Sequence, residues 1–261
     1  MRTGVRAACA LALLWAIGLA VWCAPELTDC GPIVIKGDYQ FTVENGVRSG
    51  SGTATDPYVI EGWRIDAGCG DHGIRIEKTT RFVEIRNVEV SGAAKSGIFL
   101  SYARNVTIRA CKLSANWVGI VLNFSRFNRL DACTVTTNTD GVHFYFSHDN
   151  QVLNCTFARN DTALWLDASN GNEVIGNTFS ESYMGVFLDL GSTKNVVYRN
   201  AFLQNVYNAH CTSANTWDYK GTGNYWFDYH GIDANGDKIG DAPYTICSSG
   251  SQDSFPLLTK P

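Results

Sequence analysis

The chain has 261 residues, with 21 lysines and arginines against 25 aspartates and glutamates, and its formal net charge is −4. Nucleic-acid binding depends on clustered basic side chains that neutralise phosphates. An acidic chain without a basic cluster therefore excludes nucleic acid as an expected partner.

Residues 1–23 are predicted to be a signal peptide. Arg2 and Arg6 give a positive start, the apolar run 10–22 follows, and Cys23 is a small residue at the cleavage position. This run of 13 residues is shorter than the about 20 that cross a bilayer. We therefore expect an extracytoplasmic protein (secreted, periplasmic or at the cell surface) with no membrane span after cleavage. A lipoprotein acylated at Cys23 and an uncleaved signal anchor are the alternatives.

The next segment, 24–56, is predicted to be an N-terminal cap. It contains Gly46, Gly50 and Gly52 and shows little periodicity, which is typical of loops. Strand-like patterns begin at Tyr58.

A 22-residue repeat then dominates residues 57–214. Its clearest markers are one small residue per unit: Gly97, Gly119, Gly141, Ala163 and Gly185. A period of about 20–29 residues with short apolar alternations is typical of a solenoid. The prediction is an all-β, single-stranded parallel β-helix of about 7–8 turns, in which residues one period apart form columns. We expect the glycines to occupy turns that need a positive φ, with Ala163 as a strained exception.

The cysteines fall into two groups. Cys111, Cys133 and Cys155 follow the repeat, so they are expected to stack about 4.8 Å apart as small buried residues. The other four lie near the two ends, and an oxidising compartment favours disulfides there. The predicted pairs are Cys211–Cys247 and Cys30–Cys69.

After about residue 214 the repeat stops, and 215–261 is predicted to be an aromatic and aspartate-rich C-terminal cap over the open end of the solenoid. Within it, four oxygen-bearing side chains have the spacing of a calcium loop: Asp233, Asn235, Asp237 and Asp241. Lys238 and Tyr244 replace the glycine and glutamate of such loops. The segment therefore predicts either a calcium-stabilised cap or a polar turn held by Asx hydrogen bonds.

The segments 50–62, 223–229, 231–244 and 253–257 closely resemble motifs of NosD-like proteins. The resemblance covers nearly all of the chain after the signal. It implies a right-handed parallel β-helix, related to the wider class of carbohydrate-binding proteins and sugar hydrolases, and an exported location. It also implies an accessory role in the maturation of a copper enzyme as one function.

The residues themselves do not support copper binding. Copper sites need converging His, Cys or Met ligands. The five histidines do not follow the repeat, and Met184 is the one methionine after the signal.

Strand alternation instead predicts two outward columns on the first strand of each unit. Phe99, His143, Trp165 and Phe187 lie in one, and Tyr145, Asp167 and Asp189 lie in the next. Aromatic faces beside carboxylates suit a sugar ring, so these seven residues form the predicted ligand-binding surface. The alternative is that aromatic residues simply favour strands.

Asp167 and Asp189 are also candidate catalytic residues. They belong to adjacent units, so their backbones are expected about 4.8 Å apart, and paired carboxylates at about 5–9.5 Å perform glycoside hydrolysis. A bound cation and a solvated acidic edge are the alternatives.

The sequence thus favours an exported, non-catalytic module that binds a polysaccharide or glycoconjugate, or a structural module that contacts a cell-envelope protein. A polysaccharide hydrolase or lyase and a NosD-type copper-maturation factor are the alternatives.

Overall fold

The computed structural model describes residues 26–247 and 250–261, so the predicted signal peptide lies outside the described residues. Within these ranges the chain is an all-β, right-handed parallel solenoid of about seven turns, which confirms the predicted fold class. Two short 3₁₀ helices, Asp38–Gln40 and Val43–Asn45, lie near its start. No helix among the described residues is long and apolar enough to cross a membrane.

Each coil contributes one strand to each of three parallel sheets. Sheet A comprises Thr28–Cys30, Trp63–Asp66, Glu89–Ser91, Lys112–Ser114, Thr134–Thr136, Thr156–Ala158, Thr178–Ser180, Ala201–Leu203 and Tyr225–Trp226. Sheet B comprises Ile33–Lys36, His72–Thr79, Ser96–Ala103, Val118–Asn123, Asp140–Tyr145, Thr162–Asp167, Met184–Asp189 and Tyr207–Cys211. Sheet C comprises Tyr58–Glu61, Val83–Arg86, Val106–Arg109, Arg129–Asp131, Gln151–Leu153, Glu173–Ile175 and Val196–Tyr198. Tyr244–Thr245 and Gln252–Asp253 form a separate antiparallel pair.

The register between coils follows the 22-residue repeat. Ile120, for example, pairs with Ile98 on one side and with Val142 on the other. Because each strand alternates its side chains between two faces, this register stacks equivalent apolar residues inside the solenoid. The core ladder Ile98, Ile120, Val142, Leu164 and Val186 is fully buried.

The repeated glycines are needed for a reason other than the predicted one. They lie inside the strands of sheet B, and Gly97, Gly119 and Gly141 do not have positive φ. A β-carbon at Gly119 would lie 2.5 Å from the carbonyl oxygen of Gly141 in the next coil, so close backbone approach favours glycine here. Ala163 therefore needs no special turn, and the expectation of positive φ was wrong.

Buried polar ladders run along the corners between sheets. In one of them, Asn150 accepts hydrogen bonds from the backbone N–H and the side-chain amide of Asn128, at 2.9 and 3.0 Å. Asn150 in turn donates to the side-chain oxygen of Asn172 at 3.1 Å and to the carbonyl of Ser125 at 3.1 Å. These amides satisfy the backbone groups that the corners remove from the sheets, as buried polar groups require.

Both ends of the solenoid extend beyond the ranges expected from the repeat. Thr28–Cys30 already pairs with Trp63–Ile65, so the first coil begins within the predicted cap 24–56. At the other end Trp226 stacks on Phe202, with ring centroids 4.2 Å apart, and Tyr244 stacks on Trp226 at 4.2 Å. The aromatic residues of the tail thus cover the last core ring.

The buried side chain of Asp253 holds this cap by hydrogen bonds. It is fully buried and accepts hydrogen bonds from the indole N–H of Trp226 at 2.8 Å and from the backbone N–H of Asn224 at 2.7 Å. Burial raises the pKa of Asp253, and these donors offset part of that effect.

The cysteines behave in two ways. Cys111, Cys133 and Cys155 are buried in one column of the core, as predicted. Cys211 and Cys247 are both buried in the same core cluster, and a disulfide between them stays a prediction. Cys30 is half-buried and Cys69 is exposed, and both are free thiols in the structure. The disulfide between them in an oxidising compartment stays a prediction.

The hydrogen bonds of Asn150 predict how much stability its replacement removes. Asn150→Leu removes both an acceptor and a donor from buried backbone groups, so we expect the free energy of unfolding to fall by about 2–4 kcal/mol. Chemical denaturation of the purified protein measures this. Asn123→Ala, on the outward face, is the control and is expected to cost under about 1 kcal/mol. Equal effects of the two substitutions would contradict the account.

Candidate functional site

The outward face of sheet B carries the two predicted columns. His143 pairs with Val121 and Trp165, and Trp165 pairs with Phe187. The second column runs through Tyr145, Asp167 and Asp189 in the same register. The structure therefore brings six of the seven predicted ligand-binding residues together on three consecutive coils.

The first column is a stack of rings. His143 and Trp165 are nearly parallel, with an interplanar angle of 7° and centroids 4.6 Å apart. Trp165 and Phe187 follow at 5.7 Å, and Phe187 and His210 at 5.5 Å. The seventh predicted residue, Phe99, is separated from this stack because Val121 intervenes.

Phe99 instead stacks on His72, with centroids 4.6 Å apart. Its other polar neighbour is Arg75, which lies 5.7 Å from the ring centroid. That guanidinium is held by Glu77 through two contacts of 3.0 and 2.6 Å. Phe99 therefore lies at a different, charge-paired part of the face.

Asp167 is the central polar residue of the site. Its side chain is only 8% exposed, and its Oδ2 lies 3.1 Å from His143 Nε2. The other carboxylate oxygen, Oδ1, is buried and has no hydrogen-bond partner, and the same holds for the indole nitrogen of Trp165. Neither atom is therefore hydrogen-bonded to another group of the protein.

Further acidic groups surround this pair. Asp189 pairs with Asp167 in the next coil, as predicted, and accepts a hydrogen bond from the hydroxyl of Thr212 at 3.2 Å. Asp140, on the same strand as His143, has its pKa raised by burial. The neighbourhood of Asp167 is therefore acidic.

A second aromatic array borders the site, and the sequence analysis missed it. Tyr102, Phe124 and Phe146 stack with centroids 5.2 and 5.1 Å apart and interplanar angles of 4° and 2°. Tyr145 joins this array to the first column, since its ring meets Phe146 edge-on at 4.7 Å and His143 at 6.4 Å.

The corner backbone explains why these rings face solvent. Tyr102, Phe124 and Phe146 have φ of 51°, 48° and 46°, a left-handed conformation that is uncommon for bulky residues. All three rings are exposed. Their 22-residue spacing was the signal from which the array could have been found.

Cationic side chains lie at one end of this surface. Arg104 and Arg126 pair across neighbouring coils at the corner beyond the array, and Arg126 pairs with His148. In the next coil, which contains Asp167, the equivalent position is occupied by the uncharged Asn170. The surface is thus basic near Tyr102 and acidic near Asp167.

The predicted calcium loop is held by its own hydrogen bonds. Asp233 accepts from the backbone N–H groups of Gly236, Asp237 and Lys238 at 2.7, 3.1 and 2.9 Å. Asp241 accepts from the N–H of Ala234 at 2.8 Å. These are the bonds of the predicted polar turn, and the calcium site stays a prediction.

The described residues do not fit a copper centre. His143 contacts Asp167, and His148 Nδ1 accepts from the backbone N–H of Asn170 at 3.0 Å. Within 26–247 and 250–261, no group of three or more His, Cys, Asp or Glu side chains could hold a metal ion.

Comparison with known proteins places the chain in a family. The family described as periplasmic copper-binding protein (NosD) matches residues 41–231. This range is more than half of the chain, so the chain belongs to the NosD family. A search of curated proteins finds no match.

Solved structures share the fold. A mutant of the periplasmic alginate epimerase AlgG superposes with a TM-score of 0.55 at 20% identity, covering 61% of this chain and 43% of that one. The A-module of the mannuronan C-5 epimerase AlgE6 from Azotobacter vinelandii gives 0.55 at 17% identity, with 66% and 52% coverage. XylC in complex with xylose gives 0.50 at 11% identity, with 65% and 36% coverage. The chain thus spans about half or less of each protein, and at these identities the similarity shows the fold alone.

The calcium loop yields a test of its role. Asp233→Ala removes an acceptor of three backbone N–H groups, so we expect the protein to lose about 1–2 kcal/mol of stability. Thermal melts in calcium and in EDTA measure this. We expect the same loss in both, because the bonds are internal. A loss confined to the calcium buffer would instead establish a calcium site.

Proposed function

We propose that this protein is an exported β-helix that binds a polysaccharide or glycoconjugate, without cleaving it, through the outward face of sheet B. One observation carries the proposal: the parallel stack of His143 on Trp165, with the incompletely bonded carboxylate of Asp167 beside it. His143 and Phe187 cover the two faces of Trp165. A sugar would therefore pack against the outward edges of these rings, and the carboxylate would fix its orientation by hydrogen bonds.

The extent of the aromatic surface supports a chain-like ligand. The rings of Tyr102, Phe124 and Phe146 lie one per coil, and Tyr145 connects them to His143 and Trp165. Exposed aromatic rings in a contiguous patch mark binding surfaces more often than chance exposure does. A polymer lying along the solenoid axis would meet one ring at each coil.

The comparisons agree with this proposal at a general level. The family description names the periplasm, which fits an exported protein. Two of the similar folds are named as epimerases of alginate or mannuronan, and a third was solved with xylose. These names associate proteins of similar fold with carbohydrates.

A hydrolase is the second candidate, and the pairing of Asp167 with Asp189 in adjacent coils favours it. Two carboxylates in adjacent coils resemble the pair that performs glycoside hydrolysis. Release of reducing sugar ends from a bound polysaccharide, abolished by Asp167→Asn, would identify this activity. Binding without such release supports the non-catalytic proposal.

The proposal predicts the effect of removing one ring. Trp165→Ala deletes the central ring of the outward stack and the apolar edge that it presents, so we expect binding to the preferred glycan of a broad array to weaken by at least about tenfold. The matched control is Trp117→Ala. Trp117 is exposed and directly precedes the sheet B strand Val118–Asn123. It lies outside the two predicted columns, so its loss should leave binding within about twofold.

Absence of any glycan binding by the unaltered protein would reject the proposal. Capture of a cell-envelope protein in that case would favour the structural module instead. Equal losses in Trp165→Ala and Trp117→Ala would place the binding surface elsewhere.

A further inference from the structure

A column of basic side chains runs beside the second aromatic array. Arg104, Arg126 and His148 pair with one another at the corner between sheets B and C, one in each of three successive coils. Each lies two residues after a ring of the array, and the residue between the ring and the basic group is buried. Ring and basic group therefore project to the same outer side of each coil. The two arginines are exposed, and His148 is half-buried.

The preceding coil adds one further cation. Thr79 pairs with Ala103, so the residue before it, Lys78, lies one coil ahead of Tyr102. Lys78 is exposed and has the same left-handed backbone as the rings of the array, with φ of 52°. Lys78 and the two arginines thus place one positive charge on each of three successive coils.

The protein does not neutralise these three cations, although it neutralises many of its other arginines. Six arginines lie 2.6–3.5 Å from a carboxylate oxygen: Arg64, Arg75, Arg81, Arg86, Arg109 and Arg129. Among the described residues, no salt bridge involves Lys78, Arg104 or Arg126. Glu77, which precedes Lys78, is itself bound to Arg75 at 2.6 Å. The positive charge of these coils is therefore available to a ligand.

The rings beside the cations form a narrow apolar ridge. Tyr102, Phe124 and Phe146 are 56%, 42% and 39% exposed, and they stack face to face along the solenoid axis. Phe124 is covered on both faces, so the ridge presents ring edges to the outside. A single-stranded nucleic acid stacks successive bases on ring faces, and this array has no row of free faces for it. The ridge instead fits a ligand that packs apolar C–H groups against ring edges, as a sugar does.

We infer that this corner binds an acidic polysaccharide, whose anionic groups contact Lys78, Arg104 and Arg126 while its sugar rings lie along the aromatic ridge. The inference rests on the proposed function and adds the charge of the ligand to it. Guanidinium groups bind planar oxyanions such as carboxylates through two parallel hydrogen bonds. A polymer that repeats along one direction matches a surface that repeats a ring and a cation at the strand spacing of about 4.8 Å.

The charges of the later coils limit where the acidic units bind. The coil of Asp167 has the uncharged Asn170 at the position of the basic column, and Asp189 follows in the next coil. A carboxylate there would meet like charge without a cation to offset it. The acidic units therefore bind at the earlier coils, between Lys78 and Arg126.

An anionic membrane is the rival ligand for a surface that is both aromatic and basic. Recognition of such a membrane uses clusters of about 4–8 lysines and arginines. The corner has three cations in single file, and the net charge of the chain is −4. The observations therefore favour the acidic polysaccharide, and vesicles enter the experiment as the competing ligand.

The experiment removes two charges at exposed positions. Arg104→Gln/Arg126→Gln keeps long polar side chains, and Arg104→Lys/Arg126→Lys keeps the charge. The matched control is Arg64→Gln/Lys112→Gln, which removes the same charge from the strands of sheet A. Binding of the full chain is measured on alginate and polygalacturonate, on dextran sulfate, on uncharged dextran and xylan, and on vesicles that contain phosphatidylserine.

We expect an acidic polysaccharide to bind best, and the glutamine variant to weaken that binding about 5- to 20-fold. The lysine variant and the control on sheet A should stay within about twofold to threefold of the unaltered protein. Added salt should weaken binding of the unaltered protein more than binding of the glutamine variant. Binding of either the carboxylated or the sulfated polymers supports the inference, and their ratio identifies the preferred anionic group.

Three results would overturn the inference. Best binding to an uncharged glycan, lost in Trp165→Ala but not in the glutamine variant, would leave the proposed function standing without the acidic ligand. Equal losses in the glutamine variant and in the control would show an effect of net charge. Binding to vesicles in place of glycans, lost in the glutamine variant, would make the corner a membrane contact. If the unaltered protein binds no glycan at all, the proposed function itself is rejected.

Discussion

Hydrogen bonding between successive coils, in a register set by the 22-residue repeat, is the constraint on which the whole structure depends. Strands of two to eight residues are too short for independent stability, and each is stabilised by pairing with the equivalent strands of neighbouring coils. A slip by one residue would turn every core side chain outward. The same register that stacks Ile98 on Ile120 inside also stacks His143 on Trp165 outside, so fold and surface are fixed together.

The inner and outer faces use this stacking for different ends. Inside, equivalent side chains of neighbouring coils stack or hydrogen-bond. Trp226 stacks on Phe202, and Asn150 is hydrogen-bonded to both Asn128 and Asn172. Outside, the same register aligns the rings of His143 and Trp165 and places Asp167 beside Asp189 of the next coil.

The repeat allowed much of this to be predicted from sequence. The core ladders, the cysteine column and the pairing of Asp167 with Asp189 follow directly from residues one period apart. The array of Tyr102, Phe124 and Phe146 has the same spacing but lies in corner positions, where strand alternation gives no guidance. The first coil was also missed, because Thr28–Cys30 and Ile33–Lys36 are separated from the later coils by a long irregular segment.

Other features required three-dimensional contacts. The glycines appeared to be turn residues, yet they are needed because the carbonyl of the next coil approaches too closely for a side chain. The contact of His143 with Asp167 runs diagonally, over 24 residues, and depends on side-chain rotamers that periodicity does not specify. The family assignment likewise suggested copper, whereas the described side chains do not converge on a copper centre.

A crystal structure of the protein soaked with the oligosaccharide that binds best would test the account most directly. The account predicts a sugar ring packed against the outward edges of His143 and Trp165, with one of its hydroxyls within about 2.5–3.2 Å of the carboxylate of Asp167. A saccharide bound on another face of the solenoid, away from His143 and Trp165, would contradict it.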